Sequence, residues 1–243
     1  VTAVRLDNPY WRIVEKFPNS GLRWNKGRFE PESYPIISDL MEAHRKGTPL
    51  PDLANFDENK SPTRSSLVKQ FAWAIPSDQT LAWIRKRLLG REVVEIGAGR
   101  GYWAWMLEQV GIPVTAYDEK LLGLGEEIGY FKDAGEHTYH EILRGGPEKA
   151  ALHPDKVLFL CWPPYDDDMA VNCLRAYQGD TLMFEGEGEG GCTANDAFFT
   201  ELAVNWVEVD QHYPTQWSGI HDFLTIYRRS ERQIDLTIIR EEP

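Results

Sequence analysis

The chain has 243 residues, 42% hydrophobic and 26% charged, enough apolar content for a sizeable core in one elaborated domain or two small ones. Its formal charge of −12 is uneven: residues 1–70 hold 11 Lys+Arg against 9 Asp+Glu, net +2, and the remainder 15 against 29, net −14. So acidic a second part makes a poor duplex-binding surface, because phosphate is held mainly by clustered Lys and Arg, and disfavours nucleic acid as a partner without excluding it. There is no run of about 18 apolar residues and no basic-then-apolar start, so neither a membrane span nor a signal peptide is expected. Cys161, Cys173 and Cys192 show no C-x-x-C spacing, which points to a reduced, cytoplasmic chain without a metal site. The absence of an initiator Met points to a trimmed chain.

Residues 1–70 form an N-terminal extension rich in Pro, Asn, Arg and Trp, with one helix expected at "ISDLMEAHRKG" and loop through "GTPLPDLANFDENKSPTRSS". From Phe71 to the C-terminus, helices and strands alternate. "SDQTLAWIRKRLLG" is a helix capped by Ser77 or Asp78, "EVVEIG" a buried strand, "RGYWAWMLEQVG" a helix and "PVTAYD" a second strand. "YHEILRG" is a third strand, "PEKAALH" a short helix, "KVLFLCW" a fourth strand and "DDMAVNCLRAY" a helix. "DTLMFEGEG" is the fifth strand, "ANDAFFTELAV" a helix, "NWVEVDQHY" and "DFLTIYRR" a closing pair, and "IDLTIIR" an added edge strand. Such alternation implies crossover connections and a mostly parallel sheet covered on both faces.

The stretch "VVEIGAGRGYW" joins a strand to a helix through three glycines, where backbone without a Cβ can approach a ligand closely. A dinucleotide fingerprint would need a small residue where Tyr102 stands. Glu95-Ile96-Gly97-Ala98-Gly99-Arg100-Gly101 instead resembles motif I of class I S-adenosylmethionine-dependent methyltransferases. The resemblance covers roughly 71–243. It implies a Rossmann-like sheet of seven strands with an antiparallel closing strand, and S-adenosyl-L-methionine as cofactor. It also implies that Glu95 holds the cofactor's ammonium end, that Gly97, Ala98, Gly99, Gly101 and Tyr102 line it, and that Asp118 accepts from the ribose hydroxyls. Cys161 and the upstream Trp73, Ile75 and Pro76 are further cofactor contacts, the last three as a lid; ordinary core packing is the competing reading of that segment.

"CWPPY" falls where this family places motif IV, which in amino-methyltransferases begins with Asp or Asn and accepts from the target NH₂. Trp162 occupies that position, and indole donates only. The Trp162 and Pro163 carbonyls and the π faces of Trp162 and Tyr165 remain to meet an acceptor; a strand-terminating packing corner is the alternative. Glu185, Glu187 and Glu189 orient an amine or take its proton, or else form a solvated loop. His221 and Asp222 read first as structural. "LFLCWPPYDDDMA … GEGEGGCTANDAFF … WSGIHD" is similar to a group of microbial and phage methyltransferase-like proteins. The expected function is methyl transfer to a small molecule or exposed group, an amine among the candidates. The alternatives are nucleic-acid N-methylation through the extension, which the charge disfavours, and a non-catalytic cofactor-binding scaffold.

Overall fold

The structure, a computed structural model, describes residues 6–16, 46–47, 64–121, 137–217 and 219–230. The expected edge strand "IDLTIIR" lies outside these residues, as does all but the end of the "ISDLMEAHRKG" helix. Seven strands form one sheet: β1 (Val93–Ile96), β2 (Val114–Asp118), β3 (Ile142–Arg144), β4 (Val157–Cys161), β5 (Thr181–Glu187), β6 (Trp206–His212) and β7 (Asp222–Arg229). Their order is β3-β2-β1-β4-β5-β7-β6. β1 to β5 pair in parallel, β7 is antiparallel to β5, and β6 is antiparallel to β7. This is the expected Rossmann-like, mostly parallel sheet. β1 is buried on both faces, as a central parallel strand must be, which is why "VVEI" reads as a continuous apolar run broken only by Glu95.

The helices are α1 (Pro9–Lys16), α2 (Arg64–Gln70), α3 (Asp78–Leu88), α4 (Tyr102–Gln109), α5 (Met169–Ala176) and α6 (Asp196–Asn205). On one face of the sheet Leu67, Ile84, Trp103, Phe159, Met183, Trp217 and Ile226 form a core; on the other Ile96, Leu158, Leu160, Leu174, Phe198 and Leu202 do. Capping follows side-chain chemistry: Ser77 Oγ accepts from Thr80 N at 3.2 Å to start α3, and Asn195 Oδ1 accepts from Phe198 N at 3.1 Å to start α6. Among the described residues no helix is long and apolar enough to cross a membrane.

Three local expectations change. "PEKAAL" forms a 3₁₀ helix, Pro147–Leu152, since six residues starting at Pro are too few to sustain α geometry against a close following Pro154. Arg64, Ser65 and Ser66 belong to α2 rather than to loop. The extension also supplies α1, where Asn8 caps and Pro9 takes the first helical position; Asn8 Oδ1 accepts from Trp11 N at 3.1 Å. Tyr10 then stacks on Phe71 with centroids 5.0 Å apart, and its hydroxyl accepts from Trp217 Nε1 at 3.1 Å. α1 therefore helps close the core on the α2–α4 face.

Candidate active site

The chain leaves β1 in one direction toward β2 and β3, and β4 leads the other way to β5. A ligand crevice opens beyond the strand ends at such a reversal. There a cleft of about 690 Å³ runs from Asp118 to the Trp-Pro-Pro-Tyr corner. The glycine turn forms its floor, with φ of 80°, 57° and 71° at Gly97, Gly99 and Gly101, the left-handed region that side chains resist. A Cβ at Gly97 would lie 2.7 Å from Met169 Cε, and one at Gly101 2.8 Å from His140 Cβ. Gly97 and Ala98 N both donate to Tyr117 O, at 2.9 and 3.0 Å, pinning the turn to the end of β2.

Two carboxyls flank that floor. Asp118 Oδ2 accepts from Gly99 N at 2.8 Å and Oδ1 from Lys120 N at 3.0 Å; burial raises its pKa. Each oxygen retains a second lone pair for a ligand. Glu95 is 2% exposed and meets the Ala104 backbone N–H at the start of α4, while burial first and Asp118 second push its pKa up to about 8. Its Oε2 has no hydrogen-bond partner among the described residues.

At the other end, Trp162 takes a left-handed φ of 50°. Its backbone N donates to Glu185 O at 2.7 Å, and its indole Nε1 donates to Asp222 Oδ2 at 3.0 Å. The indole stacks on Trp73 with centroids 5.5 Å apart and planes 12° apart, and the Arg64 guanidinium carbon lies 5.3 and 5.8 Å from the Trp73 and Trp162 ring centroids. Pro163 O, expected to face an acceptor, takes a hydrogen bond from Ala194 N at 3.2 Å. Tyr165 stands at the rim, 69% exposed, so its ring is not core.

Of the residues expected from sequence, the cleft wall brings together Trp73, Glu95, Gly97, Ala98, Gly99, Tyr102, Asp118, Cys161, Trp162, Pro163 and Tyr165. Three lie behind it. Pro76 is buried and accepts through its carbonyl from Asn8 Nδ2 at 2.7 Å. Gly101 caps α4. Glu185 is fully buried opposite Cys161 in the β4–β5 register; neither of its carboxyl oxygens has a hydrogen-bond partner among the described residues. Burial, then Asp222, raises its pKa far above the usual carboxylate range. Ile75 is buried as well. Glu187 is not on a mobile loop: its oxygens accept from Cys192 N at 2.8 Å and His221 N at 3.0 Å. The His221 side chain is exposed, whereas Asp222 is 2% exposed. Sequence reasoning missed Arg64, Met169, Cys192 and Ile220 on the wall; only Met169, at the start of the helix after the Trp-Pro-Pro-Tyr corner, carries a local signal.

No family model matches the chain. Over 60 residues it is 42% identical to the ribosomal RNA large subunit methyltransferase M of Marinobacter nauticus, a match covering 24% of this chain and 16% of that protein; the chain thus spans well under two thirds of that relative's length. Among solved structures, it is similar to the magnesium protoporphyrin IX methyltransferase of Synechocystis with bound SAH, at 12% identity over 90% of this chain and 99% of that one, with a TM-score of 0.42. It is also similar to a Streptococcus agalactiae protein of the NADB-Rossmann superfamily, at 14% identity over 62% and 67% of the two chains, with a TM-score of 0.41.

Proposed function

We propose that the chain is an S-adenosylmethionine-dependent methyltransferase acting on a small or exposed amine-type nucleophile, with its catalytic unit in 71–243 and α1 of the extension packed against it. The observation that carries this reading is the convergence of Glu95, the glycine turn and Asp118 on one cleft whose far end is the Trp162 corner. The residues present fit the cofactor. Glu95 Oε2, buried and without a hydrogen-bond partner among the described residues, suits an ammonium group, Asp118 offers lone pairs to a pair of ribose hydroxyls, and the glycines leave the space that Cβ atoms would fill. When bound, the cofactor supplies an electrophilic methyl on a sulfonium. The chain's own part is to place a nucleophile against that end. The Trp162 indole forms a flat wall there, the Tyr165 ring flanks the mouth, and the buried aromatic surroundings keep water out, so that positioning supplies much of the acceleration. Calorimetry tests the reading: S-adenosylhomocysteine binds and NAD binds far more weakly. The reverse preference overturns it.

A second reading, RNA as acceptor, draws support from the 60-residue match to a ribosomal RNA methyltransferase. The −14 charge of residues 71–243 opposes it, since the electrostatic part of phosphate-backbone affinity comes from Lys and Arg. Transfer of labelled methyl from the cofactor to total cellular RNA, plasmid DNA and a mixture of protein and small amines separates the two. Salt-sensitive labelling of RNA promotes the second reading, and label in the amine fraction supports the first.

A further inference from the structure

Trp162 stands where the resemblance places a carboxylate or amide that accepts from the target nitrogen, and it holds a backbone conformation that a bulky residue resists. A left-handed φ such as its 50° crowds Cβ against the following carbonyl in an L-residue, and strain of this kind persists only where the surroundings over-determine it. The restraints are visible. The backbone N–H is tied to Glu185 O, one indole face rests on Trp73, and the indole N–H ends on Asp222 Oδ2 at 3.0 Å. Asp222 is itself rigidly delivered. It is the first residue of β7, paired with Glu187 across the β5–β7 ladder, and its carbonyl accepts from Gln216 Nε2 at 2.5 Å. The Glu187 carboxylate holds Cys192 N and His221 N on either side. The second Asp222 oxygen, Oδ1, is buried with no hydrogen-bond partner among the described residues, so the carboxyl is not buried there to complete a network of its own. Ile220, two residues earlier, lines the cleft.

We infer that Asp222 is a positioning residue: it holds the Trp162 indole, and through it the Trp162–Pro163 peptide, in the orientation that the methyl acceptor meets. The carboxylate missing from the end of β4 thus acts from the start of β7, one residue removed from the acceptor. This rests on reading the cleft as a methyl-transfer site, although the contact itself does not.

The test uses the full chain labelled with ¹⁵N, whose nine Trp give nine indole N–H resonances. Trp162→Phe identifies the Trp162 resonance by its loss. That N–H is expected to be protected from solvent exchange in the wild type. In Asp222→Leu its resonance shifts and its exchange rate rises at least tenfold, while Asp222→Asn, which keeps an acceptor oxygen of the same shape, restores protection. S-adenosylhomocysteine affinity, set at the other end of the cleft, stays within about threefold in Asp222→Asn. An unmoved resonance in Asp222→Leu, or failure of Asp222→Asn to restore protection, overturns the inference. If Asp222→Leu does not fold, rapid exchange of the Trp162 N–H in the wild type overturns it as well, and protection there that survives in Asp222→Asn supports it. Failure of S-adenosylhomocysteine to bind the wild type sinks the methyltransferase reading and leaves the indole result standing, so the two failures are distinct.

Discussion

Replacing Glu95 with Gln isolates the buried carboxyl at the floor of the cleft. Burial and the neighbouring Asp118 lift its pKa from 4.5 to about 8, so the folded state holds a proton there that the unfolded chain has lost. The sign follows from linkage. A group whose folded pKa is raised contributes stability that is fully present below pH 4.5 and is lost as pH rises through about 8, at roughly 1.4 kcal/mol per pH unit. Between pH 6 and 8 the ligand-free protein should therefore lose about 2 kcal/mol through this group alone. Gln resembles the protonated carboxyl in shape, and its N–H₂ replaces an O–H at an atom that has no hydrogen-bond partner among the described residues. The variant should match the wild type near pH 6 within about 1 kcal/mol and be more stable at pH 8 by about 2 kcal/mol. Urea unfolding of both proteins at pH 6, 7 and 8 measures the difference, in which the other buried carboxyls cancel. Stability curves that run parallel for the two proteins would refute a proton held at Glu95. An ammonium-bearing ligand favours the ionised form, so cofactor affinity should rise with pH up to about 8 in the wild type and stay flat in Glu95→Gln.

Asp118→Ala removes an acceptor from two bound hydroxyls and frees Gly99 N; S-adenosylhomocysteine affinity measured by calorimetry should fall by about 1.5–3 kcal/mol. Tyr165→Ala, at a ring 69% exposed, should leave stability within about 0.5 kcal/mol while lowering methyl transfer to whichever fraction accepts label; an unchanged rate would remove Tyr165 from the acceptor site. Gly101→Ala places a Cβ 2.8 Å from His140 Cβ at φ 71°, whereas Gly111→Ala at φ 83° meets open space. Melting temperatures should show the second losing only the left-handed penalty of about 1–2 kcal/mol and the first losing distinctly more.

The parallel strands were legible because burial on both faces leaves short apolar runs bounded by turn residues, as at "VVEI" and "VLFLC". β3 is shorter than "YHEILRG" suggests, since at the edge of the sheet its residues are half or fully exposed and burial does not extend it. α1 carried a signal in Asn8-Pro9, a cap followed by the residue favoured at the first helical position, but composition masked it within a Pro- and Asn-rich extension. Glu95, the glycine turn and Asp118 could be read because strand, turn and next strand are consecutive. The Trp162–Asp222 hydrogen bond could not: it spans 60 residues and depends on β7 inserting between β5 and β6, which no local period encodes. Glu185 looked like part of a rim loop because Gly alternates with Glu, yet β7 pairs along β5 as far as Glu187, and pairing to that length draws Glu185 into the core.

Strand alternation puts Glu95, Cys161, Glu185, Glu187 and Asp222 on one face of the sheet, the face that also carries Phe159 and Met183. Buried carboxyls in such a row are costly unless paired. Only Glu187 has its charge met by backbone donors on both oxygens. Glu95, Glu185 and Asp222 each keep at least one oxygen without a hydrogen-bond partner among the described residues, and burial raises all three pKa values. Arg64 favours the ionised form of Asp222. Burial, then Glu185, Glu95 and Asp222 together, drives the Cys161 thiol far up, which makes it a neutral wall atom rather than a competing nucleophile for the methyl. Burial pushes Glu95 and Glu185 toward their neutral acids, and Glu185, Glu187 and Asp222 stand behind the cleft wall, so the preference for an amine over a phosphate-bearing acceptor rests on the acidic composition of residues 71–243 rather than on this row. Should the labelled methyl instead reach RNA, the extension, net +2, is the part suited to meet its phosphates, and removing Lys and Arg within residues 1–60, which spares Arg64 on the cleft wall, would abolish RNA labelling while leaving cofactor affinity intact.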